Sequence, residues 1–115
     1  MRAPHYGCPV EFALTRLGGK WKVVLLARLK ERPHRYAELR AVMPGLSDKV
    51  LTERLRELVA SGLVLQTKRG GRGAPSSYRL SKRGELLRPA LDALYRWGAA
   101  EAELVGATIG SVALP

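Results

Sequence analysis

The sequence predicts a mainly α-helical fold with one small β-hairpin, and three observations carry this prediction. Apolar residues recur at helical spacing in five segments of the chain. Two short strand-forming runs, 64–68 and 77–80, flank a glycine-rich loop. The 115 residues suffice for one domain with a single core. We therefore expect a tail over 1–8, a domain over 9–104 and a second tail over 105–115.

The helices are predicted from their ends as well as from their periodicity. Pro9 suits the first turn of a helix, and Gly18 and Pro33 end the first and second helices. The second helix is apolar on most sides, which is typical of a central, buried helix. Pro89 should kink the last helix or mark a boundary near its first turn. The five predicted helices span residues 9–17, 20–32, 36–43, 48–60 and 82–104.

The fourth predicted helix is amphipathic and follows the third across a Pro-Gly turn. Ser47 is a good N-cap for it. At 100° per residue, Leu51, Leu55 and Leu58 fall on one side and hold the helix against the core. The opposite side, which we call the recognition face, is formed by Lys49, Thr52, Glu53 and Arg56.

The chain is strongly basic, with 20 Lys and Arg residues against 10 Asp and Glu residues and a formal net charge of +10. This balance favours a polyanionic partner, above all nucleic acid. The alternative is the raised Arg content of a GC-rich genome. A short helix, a turn, a longer helix and a basic hairpin in this order are typical of a winged helix-turn-helix that binds DNA.

Each polar residue of the fourth helix can be given a role at a DNA duplex, whose major groove admits a helix. Lys49 and Arg56 can bond phosphate or guanine. Thr52 can contact a thymine methyl group or a phosphate, and Glu53 can accept from cytosine or repel wrong sequences. The helix N-terminus at Ser47 can hold a phosphate. The alternative is an ordinary solvated face on a surface helix.

The hairpin loop is the second predicted DNA contact, and we call residues 68–77 the wing. Such a cationic, glycine-rich loop can lie along phosphates or enter a minor groove, unless it is simply a solvated hairpin tip. Arg35 and Tyr36 begin the third helix, where a phosphate contact is also expected. The wing cations are Lys68, Arg69 and Arg72.

The last helix carries more apolar surface than one small domain easily covers. We expect it to pack on the same helix of a second copy, with the first helix joining in. A two-fold dimer would then place two recognition helices on a palindromic site. The alternative is that this helix folds back on its own core. The predicted interface residues are Leu87, Leu91, Leu94, Tyr95 and Trp97.

Cys8 is the single cysteine of the sequence, so no disulfide can form within these 115 residues. It directly precedes the first helix, and a helix N-terminus favours the thiolate form of a nearby thiol. Two interpretations stay open, a redox sensor or an inert cysteine at the dimer contact.

Other functional classes find less support. His5 and His34 fall in predicted loops without paired carboxylates or metal-ligand spacing, so we expect no enzyme, no metal and no cofactor. The alternative function is a basic RNA- or ribosome-binding module, but that class stacks bases on exposed aromatic residues and the aromatic fraction is only 6%. The charge also argues against a winged helix that binds protein. No signal peptide or membrane span is visible, and the expected location is the cytoplasm.

One set of fragments, spread over residues 8–98, matches a known family in order and spacing. It comprises CPVE at 8–11, LGGKW at 17–21, YAELR at 36–40, PGLSDKVLTERLREL at 44–58, GLV at 62–64, YRLSKRG at 78–84 and LRPALDALYRWG at 87–98. The chain thus resembles the HxlR-type winged helix-turn-helix regulators, relatives of the MarR-like group. The resemblance implies a dimeric transcription factor, repressor or activator, usually bacterial, that binds double-stranded DNA. It also implies that Cys8 occupies the position of a cysteine through which several members respond to electrophiles or oxidants.

Overall fold

The structure, a computed structural model, describes residues 5–68 and 76–110. It confirms a mainly helical fold with a small antiparallel sheet. The elements in chain order are α1 (Pro9–Leu17), α2 (Gly19–Glu31), β1 (His34–Arg35), α3 (Tyr36–Val42), α4 (Asp48–Ala60), β2 (Val64–Lys68), β3 (Ser76–Leu80), α5 (Lys82–Glu85) and α6 (Arg88–Val105).

The first four helices follow the sequence prediction closely. α1 and α4 have the predicted ends, whereas α2 begins and ends one residue early, at Gly19 and Glu31, and α3 ends one residue early, at Val42. The junction of α1 and α2 is this tight because the Gly18 N–H donates to Leu14 O at 2.9 Å and Gly19 adopts a φ of +78°. A positive φ is accessible to glycine without steric cost, so α2 starts immediately.

The predicted single helix over 82–104 is wrong, because the chain forms α5 and α6 with a turn between them. The expectation that Pro89 marks a boundary near the first turn is confirmed. Proline has no N–H to donate to the carbonyl four residues earlier, so a continuous helix would lose a hydrogen bond there. Instead, the Leu86 N–H donates to Arg83 O and the Leu87 N–H donates to Gly84 O, which closes α5. α6 continues to Val105 and ends at Gly106, with a φ of +74°.

The sheet has three antiparallel strands in the order β1-β3-β2, and the sequence did not predict β1. Its two residues pair with the end of β3, with His34 opposite Tyr78. His34, expected in a loop, is instead buried, and its Nδ1–H donates to Arg32 O at 2.8 Å. β1 thereby fixes the start of α3 against the hairpin.

A leucine-rich core lies between α2, α3, α4 and the inner face of the sheet. α2 is central, since it contacts α1, α4, α6 and β3. The side chains that are fully or almost fully excluded from solvent are Leu25, Leu26, Leu39, Leu51, Leu55, Leu58 and Val64. Because α3 and α4 each contribute leucines to this core, their relative orientation is set by apolar packing.

Candidate nucleic-acid interface

α4 is held by its inner side and leaves its outer side open. Leu51, Leu55 and Leu58 are at most 2% exposed, as their helical spacing predicts. On the recognition face Lys49, Thr52 and Arg56 are exposed, and Glu53 is half-buried. A rigid helix with an uncovered polar side is the arrangement that can enter a major groove.

The N-terminus of α4 is capped as predicted. The Ser47 Oγ accepts from the Val50 N–H at 3.1 Å, and Ser47 itself is exposed. This bond satisfies one of the N–H groups that a helix start leaves without an intrahelical partner. The capped start of α4, where the helix dipole is positive, therefore lies at the surface of the molecule.

Tyr36 lies at the start of α3, but its hydroxyl contacts α4. Its Oη lies 2.9 Å from Asp48 Oδ1 and 3.3 Å from Thr52 Oγ1. Arg40, one turn further along α3, places its Nε 2.8 Å from the same Asp48 oxygen and donates from Nη1 to Leu46 O at 2.5 Å. One carboxylate oxygen thus joins the two helices, a connection that we did not predict. The spacing of Tyr36 and Arg40, which puts both on one side of α3, is the sequence signal for it.

A second ion-pair cluster ties α4 to α2. The Lys22 Nζ lies 2.9 Å from Glu57 Oε2, and Arg54 bonds the other oxygen of the same carboxylate. The hydrogen bond from Lys22 holds the pKa of Glu57 below its usual value. Arg54 therefore belongs to the side of α4 that is supported by α2.

Lys49 and Arg56 of the recognition face are accompanied by two further exposed cations, one before α3 and one at the end of β2. Arg35 precedes α3, where its backbone N–H donates to Glu38 at 2.8 Å and lowers the pKa of that carboxyl group. Lys68 ends β2 on the wing stem; Arg69 and Arg72 lie outside the described residues. We call the four exposed cations Arg35, Lys49, Arg56 and Lys68 the cationic rim. None of them forms an ion pair with another described residue.

A shallow cleft separates α4 from the sheet. Its volume is about 190 Å³, and Thr52, Arg56, Gln66 and Tyr78 are among its lining residues. Burial raises the pKa of the Tyr78 hydroxyl, so this group stays neutral near pH 7.

The predicted dimer residues fall into two groups. Leu91 is 3% exposed and lies in the core, and Leu87 is half-buried against that core. Both support the fold of the single chain. Leu94, Tyr95 and Trp97 are 53%, 74% and 66% exposed.

α1 contributes a second apolar surface, since none of its residues is buried and Val10, Phe12 and Leu14 are exposed. Cys8 is its N-cap residue and is also exposed.

Across residues 5–68 and 76–110, no helix is long and apolar enough to cross a membrane. Over the same ranges, no three His, Cys, Asp or Glu side chains are grouped closely enough to bind a metal ion.

A helix pair with a capped, cationic second helix, followed by an antiparallel wing stem, defines a winged helix-turn-helix transcriptional regulator. The chain belongs to the HxlR-like helix-turn-helix family, whose model matches residues 16–105. It is therefore a DNA-binding regulator of transcription.

Its relatives include the Bacillus subtilis HTH-type transcriptional regulator YtcD, 38% identical over 99 residues that make up 86% of this chain and 79% of that protein. Among solved structures, the redox regulator HypR in its reduced form matches this chain with a TM-score of 0.80 at 31% identity. The match covers 86% of this chain and 98% of the HypR chain. Diamide-treated YodB from B. subtilis matches with a TM-score of 0.66 at 27% identity, and the match covers 84% of this chain and 96% of the YodB chain.

Proposed function

We propose that this protein binds a palindromic, double-stranded DNA operator as a homodimer and reads its sequence with α4. The recognition face enters the major groove, and the wing, residues 68–77, contacts the backbone or the minor groove. The observation that supports this proposal is the two-sided character of α4: three leucines of the helix are buried while Lys49, Thr52 and Arg56 are exposed.

The residues divide by the kind of contact they offer. Lys49 and Arg56 carry the charge that meets phosphate or guanine, and Glu53 discriminates between bases. Ser47 and the adjoining N–H groups hold a phosphate. Arg35 and the wing cations add phosphate contacts that position the helix without reading sequence.

The test begins with selection of a binding site from random duplexes by the purified protein, followed by titration on the selected duplex. Lys49→Ala and Arg56→Ala should each weaken binding about fivefold or more, because a good base contact is worth about 1–3 kcal/mol. Arg54→Ala is the matched control: it removes the same charge from the same helix, on the side held by Glu57. Full affinity in both recognition-face variants would refute the assignment.

The same titration separates DNA from RNA. An operator-specific regulator binds the selected duplex far more tightly than a scrambled duplex or the RNA duplex of equal sequence. Equal affinity for all three would favour the basic RNA-binding module instead.

The dimer forms through α6, with α1 beside it. Leu94, Tyr95 and Trp97 lie within one turn of α6 and are more than half exposed, a concentration of apolar surface that a second copy would bury. Analytical ultracentrifugation of Leu94→Lys and Trp97→Lys should show monomers where the unaltered protein sediments as a dimer. Leu65→Lys, at an exposed leucine of β2, is the control and should remain dimeric.

Cys8 makes the regulator responsive to oxidants. This part of the proposal is supported by the exposed thiol at the start of α1 and by the likeness to HypR and to diamide-treated YodB. With one cysteine per chain, a two-electron oxidation that forms a disulfide must join Cys8 to a second copy or to a small thiol. Diamide would take up the two hydrogens released from the two thiols.

The oxidant test compares operator affinity before and after diamide, in the unaltered protein and in Cys8→Ser. We expect a change in the unaltered protein that dithiothreitol reverses, and none in the variant. Mass spectrometry identifies the partner of the Cys8 sulfur. An unaltered protein whose affinity ignores diamide would refute the sensor.

A further inference from the structure

The Tyr36 hydroxyl of α3 contacts the Thr52 hydroxyl of α4, and this contact limits which groups of a base Thr52 can recognise. We propose that Thr52 selects thymine through its methyl group, and that Tyr36 is a positioning residue that holds the Thr52 hydroxyl away from the DNA. The inference rests on the proposed function, because it assigns one specificity contact of the recognition face.

The proton of Tyr36 has a defined acceptor. A phenol has one O–H, and the nearest acceptor is the Asp48 carboxylate at 2.9 Å. A bond to a charged oxygen is stronger than one to a neutral oxygen, so the proton is committed to Asp48. Arg40 binds the same oxygen at 2.8 Å and holds that carboxylate in place.

The donor in the contact between the Tyr36 and Thr52 hydroxyl groups can now be assigned. Since the Tyr36 proton points to Asp48, the 3.3 Å contact between Tyr36 Oη and Thr52 Oγ1 is made by the Thr52 hydroxyl as donor. A threonine hydroxyl has a single proton. While this contact persists, Thr52 has no proton to give to a phosphate or to a base acceptor.

What Thr52 can then offer to the DNA is its methyl group, together with the acceptor lone pairs of a hydroxyl oxygen that already bonds Tyr36. Thr52 is exposed on the recognition face, and its side chain carries only the hydroxyl and the methyl group beyond Cβ. Apolar contact with the thymine 5-methyl group is a recognised mode of base recognition for threonine. The Tyr36 contact restricts the Thr52 rotamer in advance, so less freedom is lost when DNA binds.

The same observations argue against a phosphate contact by Tyr36. Its single proton is already donated to Asp48, so its hydroxyl has no proton left for a phosphate oxygen. The sequence-based role of Tyr36 as a phosphate ligand is thus replaced by a positioning role.

The experiment uses the selected operator duplex and a series in which each thymidine, with its symmetry mate, is replaced by deoxyuridine. This change deletes only the 5-methyl group. At one position, deoxyuridine should weaken binding of the unaltered protein about fivefold or more, as expected for loss of a base contact of about 1 kcal/mol. If no thymidine shows such an effect, the methyl contact is refuted.

Two variants of Thr52 test whether that effect belongs to this residue. Thr52→Ser keeps the hydroxyl and loses the methyl group, so it should bind the two duplexes equally. Thr52→Val keeps a methyl group and loses the hydroxyl, so the preference for thymidine should survive. A preference that survives in Thr52→Ser would assign the methyl contact to another residue and overturn the inference.

Tyr36→Phe tests the positioning role, with thermal unfolding as the check that the fold is intact. The preference for thymidine should fall to about twofold or less, whereas Tyr36→Phe in the Thr52→Val background should leave it unchanged. Equal weakening on every duplex, with the preference intact, would make Tyr36 a phosphate or purely structural contact. If the Thr52 and Tyr36 variants do not behave as expected while Lys49→Ala and Arg56→Ala still weaken operator binding, this inference is refuted and the proposed function stands.

Discussion

Replacing Gly84 with alanine should destabilise the protein strongly, because α5 has no room for a Cβ atom at this position. An ideal Cβ on Gly84 would lie 2.2 Å from Leu63 O and 3.3 Å from Leu80 Cβ. Separations under 3.0 Å are essentially never seen for real Cβ atoms, and the first of these contacts is with backbone. α5 would therefore have to move away from Leu63, the residue directly before β2.

The size of the effect follows from what that movement breaks. Leu63 O accepts from the Ser81 N–H at 3.0 Å, and the Ser81 hydroxyl both donates to Gly62 O at 2.6 Å and accepts from the Gly84 N–H at 3.1 Å. Overpacking costs about 1–3 kcal/mol, and a lost hydrogen bond adds about 1 kcal/mol. We expect a loss of about 2–4 kcal/mol, which lowers the Tm by about 8–16 °C in a domain of this size.

Thermal unfolding followed by circular dichroism measures the change, with Gly98→Ala as the matched control. Gly98 lies inside α6, and apart from its chain neighbours and the backbone of its own helix, no heavy atom of the described residues comes within 4 Å of its ideal Cβ. Alanine is the better helix former by about 0.5–1 kcal/mol, so this variant should gain stability. Both variants are compared at one protein concentration, because association contributes to Tm. A Gly84→Ala variant as stable as the unaltered protein would refute the packing argument.

Three further predictions concern charge and capping. If a dimer uses the four cations of the rim in each subunit, about eight phosphates are neutralised, and log K for operator binding should fall with log salt at a slope of about −7. Lys49→Ala should reduce the magnitude of this slope by about 2 per dimer, and Arg54→Ala should leave it unchanged. Binding that does not depend on salt would contradict the electrostatic argument. Lys30 donates to Asp92 at 2.6 Å and lowers the pKa of that carboxyl group below its ordinary value, so the pair stabilises the fold at neutral pH and its contribution is lost as pH falls through the lowered pKa. The stability of Asp92→Asn should therefore fall less steeply with decreasing pH than that of the unaltered protein. Identical profiles of stability against pH would exclude this linkage. Ser47→Ala removes the α4 cap and should cost about 1 kcal/mol in denaturant unfolding, an effect that Ser47→Asp should largely avoid.

The parts of the fold that the sequence predicted well are those determined by local rules. α4 combines an N-cap serine, leucines at helical spacing and a glycine just beyond its end, and the structure places its ends at the predicted residues. The hairpin strands follow in the same way from strand-forming residues on either side of a glycine-rich loop. In both cases, the local preferences and the tertiary packing favour the same structure.

The parts that the sequence did not predict depend on contacts between distant residues. A two-residue strand such as β1 has no periodicity, and it forms because β3 supplies its hydrogen bonds. Periodicity also cannot tell which stripe of an amphipathic helix meets the core and which is left for a partner. Leu91 and Leu94 both fit the apolar pattern of α6, yet one is buried in the single chain and the other is half exposed.

α2 connects the helix proposed to read DNA to the helix proposed to form the dimer. Near its start, Lys22 is paired with Glu57 of α4 at 2.9 Å, and near its end Lys30 is paired with Asp92 of α6 at 2.6 Å. Between these two ion pairs, α2 packs into the core through three leucines that are at most 3% exposed. Close-packed interiors resist deformation, so α2 acts as a rigid spacer between α4 and α6. In the proposed dimer, the separation of the two recognition helices is then fixed by the pairing of α6. A change in that pairing, such as one caused by a bond between two Cys8 side chains at the adjacent α1 helices, would alter the fit to an operator without any change within α4.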